Sequence, residues 1–216
     1  MSKSLLVTRS NHDEATYYLY YWSTLVIKAA KQKLFAVYDL AGKKANKKNF
    51  DSYLKSKKPA ILFLNGHGNA TTVTGQGLEP LLETGKKSAV SGTIIYARSC
   101  DAGIILGKTL IKDGVKAFIG YNQKFILGYD SEKRTKPLAD LMAKLFLAPS
   151  NLVVTALIKG QTAQQAQDQS RQAMLKNYRK MTAATASYRK RYVARWLWSN
   201  YKSQVLYGDV AATFKD

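Results

Sequence analysis

The chain has 216 residues, 46% hydrophobic and 11% aromatic, enough for a single well-buried domain over 1–216 and incompatible with a disordered chain. Its single cysteine excludes an internal disulfide framework, no apolar run is long enough to span a membrane, and Met1–Arg9 lacks the apolar core of a secretion signal, so a soluble cytoplasmic protein is expected. The formal charge of +20 suits an anionic partner such as nucleic acid, an anionic surface or an acidic protein substrate, although a lysine-rich proteome or solubility accounts for it equally well.

Leu5–Thr8 reads as a first buried strand. Ser10, Asn11 and Asp13 then offer N-cap side chains, and a helical pattern runs from about Ala15 to Lys33. Its cluster Tyr17, Tyr18, Tyr20, Tyr21 and Trp22 reads as packing surface rather than a ligand site. A second strand is expected at Leu34–Tyr38, a lysine-rich loop after Gly42, and a short helix over Asn49–Lys57. After Pro59 an apolar run, Ala60-Ile61-Leu62-Phe63-Leu64, leads into Asn65-Gly66-His67-Gly68. A glycine-rich segment to Gly77 and a helix over about Leu78–Lys87 follow.

The fourth strand, Thr93–Ala97, leads into Arg98-Ser99-Cys100-Asp101-Ala102-Gly103, and a helix is expected over Ala102–Asp113. Gly114–Gly120 reads as a fifth strand, and Tyr121–Pro137 as a long functional loop with room for a hairpin. Within that loop Asp130 sits in a turn that looks exposed and open to self-processing. Helices near Leu138–Leu147 and Gln161–Tyr178, a Trp-rich basic stretch, and a strand at Gln204–Tyr207 complete the chain. Alternating strands and helices predict an α/β domain with a mainly parallel sheet and helices on both faces. Ligands of such sheets lie beyond the carboxyl ends of the strands, where both His67 and Cys100 fall.

A thiol and an imidazole delivered to one sheet edge suit nucleophilic chemistry. A free cysteine is mostly protonated at neutral pH, and the imidazole and the start of the following helix favour its ionisation. Asp101 opposes it. The backbone N–H groups of Gly68 and Cys100 are placed to stabilise an oxyanion. Rival thiol chemistries fail on position. A cysteine-phosphatase loop wants an arginine where Leu106 stands, and an amidotransferase elbow needs its histidine after the cysteine, whereas His12 and His67 both precede it. Zinc is not expected, with one cysteine and two histidines far apart in the chain, and neither is a cofactor. There is no Gly-x-Ser-x-Gly elbow. A lone cysteine at a strand end is also commonly inert packing.

The segments Leu64-Asn65-Gly66-His67-Gly68 and Ala97-Arg98-Ser99-Cys100-Asp101-Ala102-Gly103 resemble the caspase-like cysteine peptidases, nearest the CHAT-domain and gingipain-type branches. Gly114–Gly120, Gly160–Ala166 and Leu206–Asp209 are similar to later elements of that superfamily, so the resemblance spans nearly the whole chain. It implies a three-layer α/β/α sandwich and a cysteine endopeptidase with a His67–Cys100 dyad, His67 as general acid and base, and oxyanion N–H groups from Gly68 and Cys100. It also implies substrate contacts at Arg98 and Arg9, with Asp101 beside them. The position two before the nucleophile lines the primary pocket in several members and is acidic in those that cut after Arg or Lys. Arg98 at that position suits a carboxylate, so the expected substrate is a protein or peptide with an acidic residue before the scissile bond. Arg98 is equally suited to pairing with Asp101 or to solvent.

From Arg171 to Arg195 the chain carries Arg171, Lys176, Arg179, Lys180, Arg189, Lys190, Arg191 and Arg195 with no acidic residue between them, interleaved with Tyr178, Tyr188 and Tyr192 and followed by Trp196 and Trp198. Such a face binds nucleic acid through phosphate contacts and stacking, or is a solvated helix whose tryptophans pack on the sheet. The rival function is therefore a catalytically silent domain of the same fold that binds nucleic acid or another anionic partner.

Overall fold

A computed structural model describes residues 3–215 of the chain. Four apolar runs form strands that are buried along their whole length: β1 Ser4–Arg9, β3 Ile61–Asn65, β6 Ile94–Arg98 and β7 Ala117–Tyr121. Full burial follows from a parallel sheet covered on both faces, where both sides of each strand must be apolar. With β2 Ala36–Ala41 and β8 Gln204–Gly208 they make one six-stranded sheet in the order β2-β1-β3-β6-β7-β8. Its first five strands are parallel, and β8 runs antiparallel to β7.

Successive side chains alternate between two cores, as the period of two in a strand requires. Leu5, Val7, Phe63, Tyr96 and Ile119 face helices α1 Glu14–Gln32, α4 Leu141–Leu157 and α5 Ala163–Thr182. Leu6, Leu62, Leu64, Ile95 and Phe118 face α2 Lys47–Lys57 and α3 Leu106–Lys112. They also face a small hairpin of β4 Thr72–Thr74 and β5 Pro80–Glu83. Each such Leu or Phe contributes about 1.5–3 kcal/mol by leaving water. The result is the expected three-layer α/β/α arrangement with a mainly parallel sheet. Helix α6 Tyr188–Ser203 packs along α5, and among the described residues no helix is long and apolar enough to cross a membrane.

Helix α4 runs through Pro149. Proline lacks the N–H that would bond the carbonyl four residues back. That carbonyl, Leu145, instead accepts from Asn177 Nδ2 on α5 at 2.8 Å. A neighbouring helix thus repairs the bond and the helix continues past Leu147.

Other departures from the sequence reading have local causes. Leu34 closes α1 with a left-handed φ of 60° and is 83% exposed, so β2 starts only at Ala36. The helix expected over Leu78–Lys87 is instead a turn leading into β5, because Gly77 and Gly85 take positive φ and Leu81 and Leu82 are buried in a strand. The helix expected from Ala102 begins at Leu106: the Asp101 and Gly103 N–H groups bond the carbonyls of Gln123 and Tyr121. The Tyr121–Pro137 segment contains no hairpin; it is extended chain with single 3-10 turns at Ser131–Lys133 and Pro137–Ala139.

Candidate active site

β3 and β6 are adjacent and parallel, with Asn65 opposite Arg98. Two residues beyond Asn65 is His67, and two beyond Arg98 is Cys100, so the register carries both side chains to the same height past the carboxyl edge. Both line one pocket of about 260 Å³, together with Arg98, Ser99, Leu19 and the Phe125–Leu127 stretch. The site also adjoins the point where the topology switches: from β1 the chain proceeds to β2 on one side and then to β3 on the other. Crevices at such points are where open α/β sheets bind ligands.

That switch brings in a residue the sequence reading treated only as a helix cap. Asp13 caps α1 through Oδ1, which accepts from the Thr16 N–H at 2.8 Å, while the Thr16 hydroxyl completes a capping box. Its other oxygen, Oδ2, lies 2.5 Å from His67 Nε2. Burial alone would raise the Asp13 pKa, but the bonds from the Thr16 N–H, the His67 ring and the Thr16 hydroxyl outweigh it and hold the carboxyl below its ordinary value. An ionised carboxylate on Nε2 fixes the ring and its tautomer, leaving Nδ1 as the nitrogen open to a thiol or a leaving group. The clue was available: the segment after β1 ends at the same sheet edge as the two residues already singled out.

Cys100 is half-buried, and its S–H points to the Phe125 carbonyl with Sγ···O of 3.9 Å. Burial pushes the thiol pKa up and Asp101 adds to this, while the Phe125 contact and Lys124 oppose. The following helix does not help, because it begins at Leu106 rather than beside the sulfur. The net effect keeps the proton on this thiol to higher pH than on a free cysteine. Gly68 pairs with Val73 across a bridge whose hydrogen bonds run through the flanking residues, Asn69 N–H to Thr72 O and Thr74 N–H to His67 O. That pattern leaves the Gly68 N–H on the opposite edge. A side chain here is excluded by contact, since a Cβ would sit 2.7 Å from the Thr72 carbonyl and 3.0 Å from Ser99 Oγ.

Arg98 pairs neither with Asp101 nor with solvent. It is fully buried. Its Nε donates to Asn65 Oδ1 at 2.9 Å, Nη1 to Ser150 Oγ and Asn151 Oδ1 on α4, and Nη2 to the Leu19 carbonyl. All four acceptors are neutral. Burial brings its pKa down to about 10, against the influence of Tyr96 and Tyr121, so at neutral pH it is a buried cation at the pocket without a carboxylate partner. Arg9 stands apart from the pocket lining. Its guanidinium is clamped by Asp39, at 2.8 and 2.5 Å, donates to the Tyr20 carbonyl and lies over the Tyr20 ring. Asp101, with φ of 59°, is a turn residue outside the pocket lining, bonded through its backbone to Gln123 and Ile104.

The two histidines, far apart in sequence, meet in the fold with ring centroids 5.7 Å apart, which removes the premise on which zinc was set aside. His12, Asp13 and His67 form a group with the ligand atoms of a metal site. Half of the eight basic residues of the stretch are engaged by the protein itself. Arg171 donates to the carbonyls of Tyr201 and Gln204, Arg189 to Asp130 and Tyr129, and Arg191 to Ala184 and Ala186. Arg195 lies over Tyr192 and Trp196. Asp130 is tied down by Arg189 and by its own N–H to Asp140, not presented on an open turn.

Neither a known family model nor a curated protein matches the sequence. Solved structures do. The Arg-specific cysteine proteinase gingipain R (RgpB) superposes on 96% of this chain with a TM-score of 0.65 at 10% identity. The complex of Porphyromonas gingivalis RgpB pro- and mature domains superposes on 97% of it with a TM-score of 0.61, also at 10% identity. The fold is caspase-like. The chain spans about half the length of these structures, 46% and 47%, so the likeness concerns their fold and not their whole machinery.

Proposed function

We propose that this chain is a cysteine endopeptidase of the caspase-like superfamily, nearest its gingipain and CHAT branches, acting through Cys100 and His67. The single observation that supports it most is the common register of the two residues on β3 and β6, facing one pocket. In the reaction His67 Nδ1 takes the thiol proton as Cys100 Sγ bonds to the scissile carbonyl carbon. The negative oxygen that forms is held by the N–H groups of Gly68 and Cys100. Collapse expels the amine, which takes the proton from His67 and leaves a thioester. Water, deprotonated by the same ring, then releases the acid. Asp13 acts as a positioning residue that holds the ring and offsets its charge.

For the residue before the scissile bond we propose Asp or Glu. Among the described residues no carboxylate lines the pocket, whereas Arg98 and Lys124 do; the nearby Asp13 carboxylate is engaged by His67, so the lining favours an acidic side chain over a basic one. Gingipain R, by its name, is Arg-specific; the preference proposed for this chain is the opposite. Arg98 acts through its charge, its donors being taken up by neutral acceptors. A fluorogenic peptide library read against the Cys100→Ala protein tests both parts. Cleavage after Asp or Glu that the variant lacks supports them. Cleavage chiefly after Lys or Arg overturns the specificity, and equal turnover by the variant overturns the mechanism.

A further inference from the structure

We infer that His12, Asp13 and His67 form a zinc site whose occupation switches the proposed peptidase off. Nothing in the dyad requires His12. Yet its Nε2 is buried without a hydrogen-bond partner among the described residues and lies 3.5 Å from Asp13 Oδ2. That is the same oxygen His67 Nε2 approaches to 2.5 Å, and the three ligand atoms all fall within 4.8 Å of one another.

Two imidazole nitrogens and one carboxylate oxygen are a zinc donor set of the kind that leaves a fourth position for water. With metal–ligand bonds of about 2.0–2.2 Å, a tetrahedral site places its ligands about 3.3–3.5 Å apart. The His12–Asp13 separation already fits. The His67–Asp13 contact has to open by about 1 Å while the two imidazole nitrogens, within 4.8 Å of each other, close toward the tetrahedral spacing, both by rotation of His67, which is 38% exposed. Asp13 Oδ1 stays on Thr16, so the carboxylate is oriented by an outer partner as metal ligands commonly are. His12 Nδ1 now accepts a long contact from the Gly77 N–H at 3.3 Å. Loading moves the His12 proton from Nε2 to Nδ1 and gives up that one neutral bond, a small loss beside coordination of a divalent ion. An open groove of about 420 Å³ is lined by His12 and Asp13.

Zinc on His67 Nε2 leaves the ring proton on Nδ1, so that nitrogen no longer takes the thiol proton, and zinc also takes up the Asp13 charge that supports the ring. The inhibitory half rests on the peptidase reading; the binding half does not. The test is titration of the metal-free full chain with Zn²⁺ against a chromophoric chelator. Co²⁺ then reports the donor set by its d–d absorption, and the peptidase rate is measured with and without Zn²⁺. One equivalent is expected to bind. Loss of an outer-shell partner alone weakens metal sites about 10–100-fold, so His12→Gln and His67→Gln, each checked for an unchanged thermal melt, should weaken binding by about 100-fold or more. Cys100→Ala should bind as wild type does. In the wild type and His12→Gln the ratio of rates with and without Zn²⁺ should follow occupancy, with His12→Gln resistant. Binding lost in Cys100→Ala but kept in His12→Gln means capture by the thiol and overturns the site, as does the absence of binding. Binding with no peptide cleavage under any condition overturns the peptidase reading and leaves the site standing.

Discussion

Asp13 carries two separable duties, and Asp13→Asn divides them. Asparagine is as good an N-cap as aspartate, so the bond from the Thr16 N–H survives and α1 keeps its first turn. The charge beside His67 is lost. Unit charges about 4 Å apart interact by about 4 kcal/mol at an effective dielectric near 20. Both side chains are 38% exposed, so solvent screening reduces this to about 1–2 kcal/mol. The imidazolium that forms during attack loses that support, which corresponds to a fall in kcat of about 5–30-fold. A neutral amide also tolerates the wrong ring tautomer, which enlarges the loss. Asp13→Ala removes the cap as well, at about 1 kcal/mol, or about 2–4 °C in Tm for a chain of this size. The assay is kcat at saturating fluorogenic peptide, beside thermal melts of the same preparations. The expected pattern is a slow but fully stable Asp13→Asn and a slow, less stable Asp13→Ala. An Asp13→Asn enzyme with wild-type kcat would refute the positioning role.

Because burial raises the Cys100 pKa, its proton is retained to higher pH. Alkylation by iodoacetamide should be slow at neutral pH and still rising near about pH 9, whereas a rate flat from acidic pH upward would mean a pre-ionised thiolate. Asn177→Ala leaves the Leu145 carbonyl without its donor and should cost about 1–2 kcal/mol in urea unfolding; an unchanged midpoint would show that water replaces the bond freely. Arg98→Met strands the acceptors on Asn65, Ser150 and Asn151 and should lower stability by about 2–4 kcal/mol, read by the same unfolding curves. A midpoint equal to wild type would sink the view of Arg98 as a bridge between β6 and α4. Gly68→Ala forces a methyl group against Thr72 and Ser99 and should lower stability by about 1–3 kcal/mol; a wild-type melt would contradict the close packing.

What could be read in the sequence was whatever depends on long apolar runs. β1, β3, β6 and β7 are continuous hydrophobic segments whose covered faces admit little else, and their parallel register alone brings His67 level with Cys100. What escaped depends on contacts between distant segments. The first turns expected of α3 are replaced because Asp101 and Gly103 bond the chain after β7, a partner that local propensity does not see. The stretch around Leu81 and Leu82 was apolar enough for a helix, but the positive φ of Gly77 and Gly85 turned it into a hairpin. Sequence leaves Arg98 open between a pocket role, Asp101 and solvent, since it does not tell that Ser150 and Asn151 on α4 are there to receive the guanidinium. The meeting of His12 with His67 was missed for a similar reason, the distance along the chain hiding a shared switch point.

The guanidinium that spans from β6 to α4 has a bearing on when the pocket is completed. His67 and Cys100 are both in the chain by residue 100, yet Arg98, two residues before the cysteine, finds two of its four acceptors only at Ser150 and Asn151. Until those arrive, a full cation has nowhere dry to settle, and the strand bearing it is held open to water. The pocket that His67 and Cys100 line is therefore completed only once α4 has docked on the sheet.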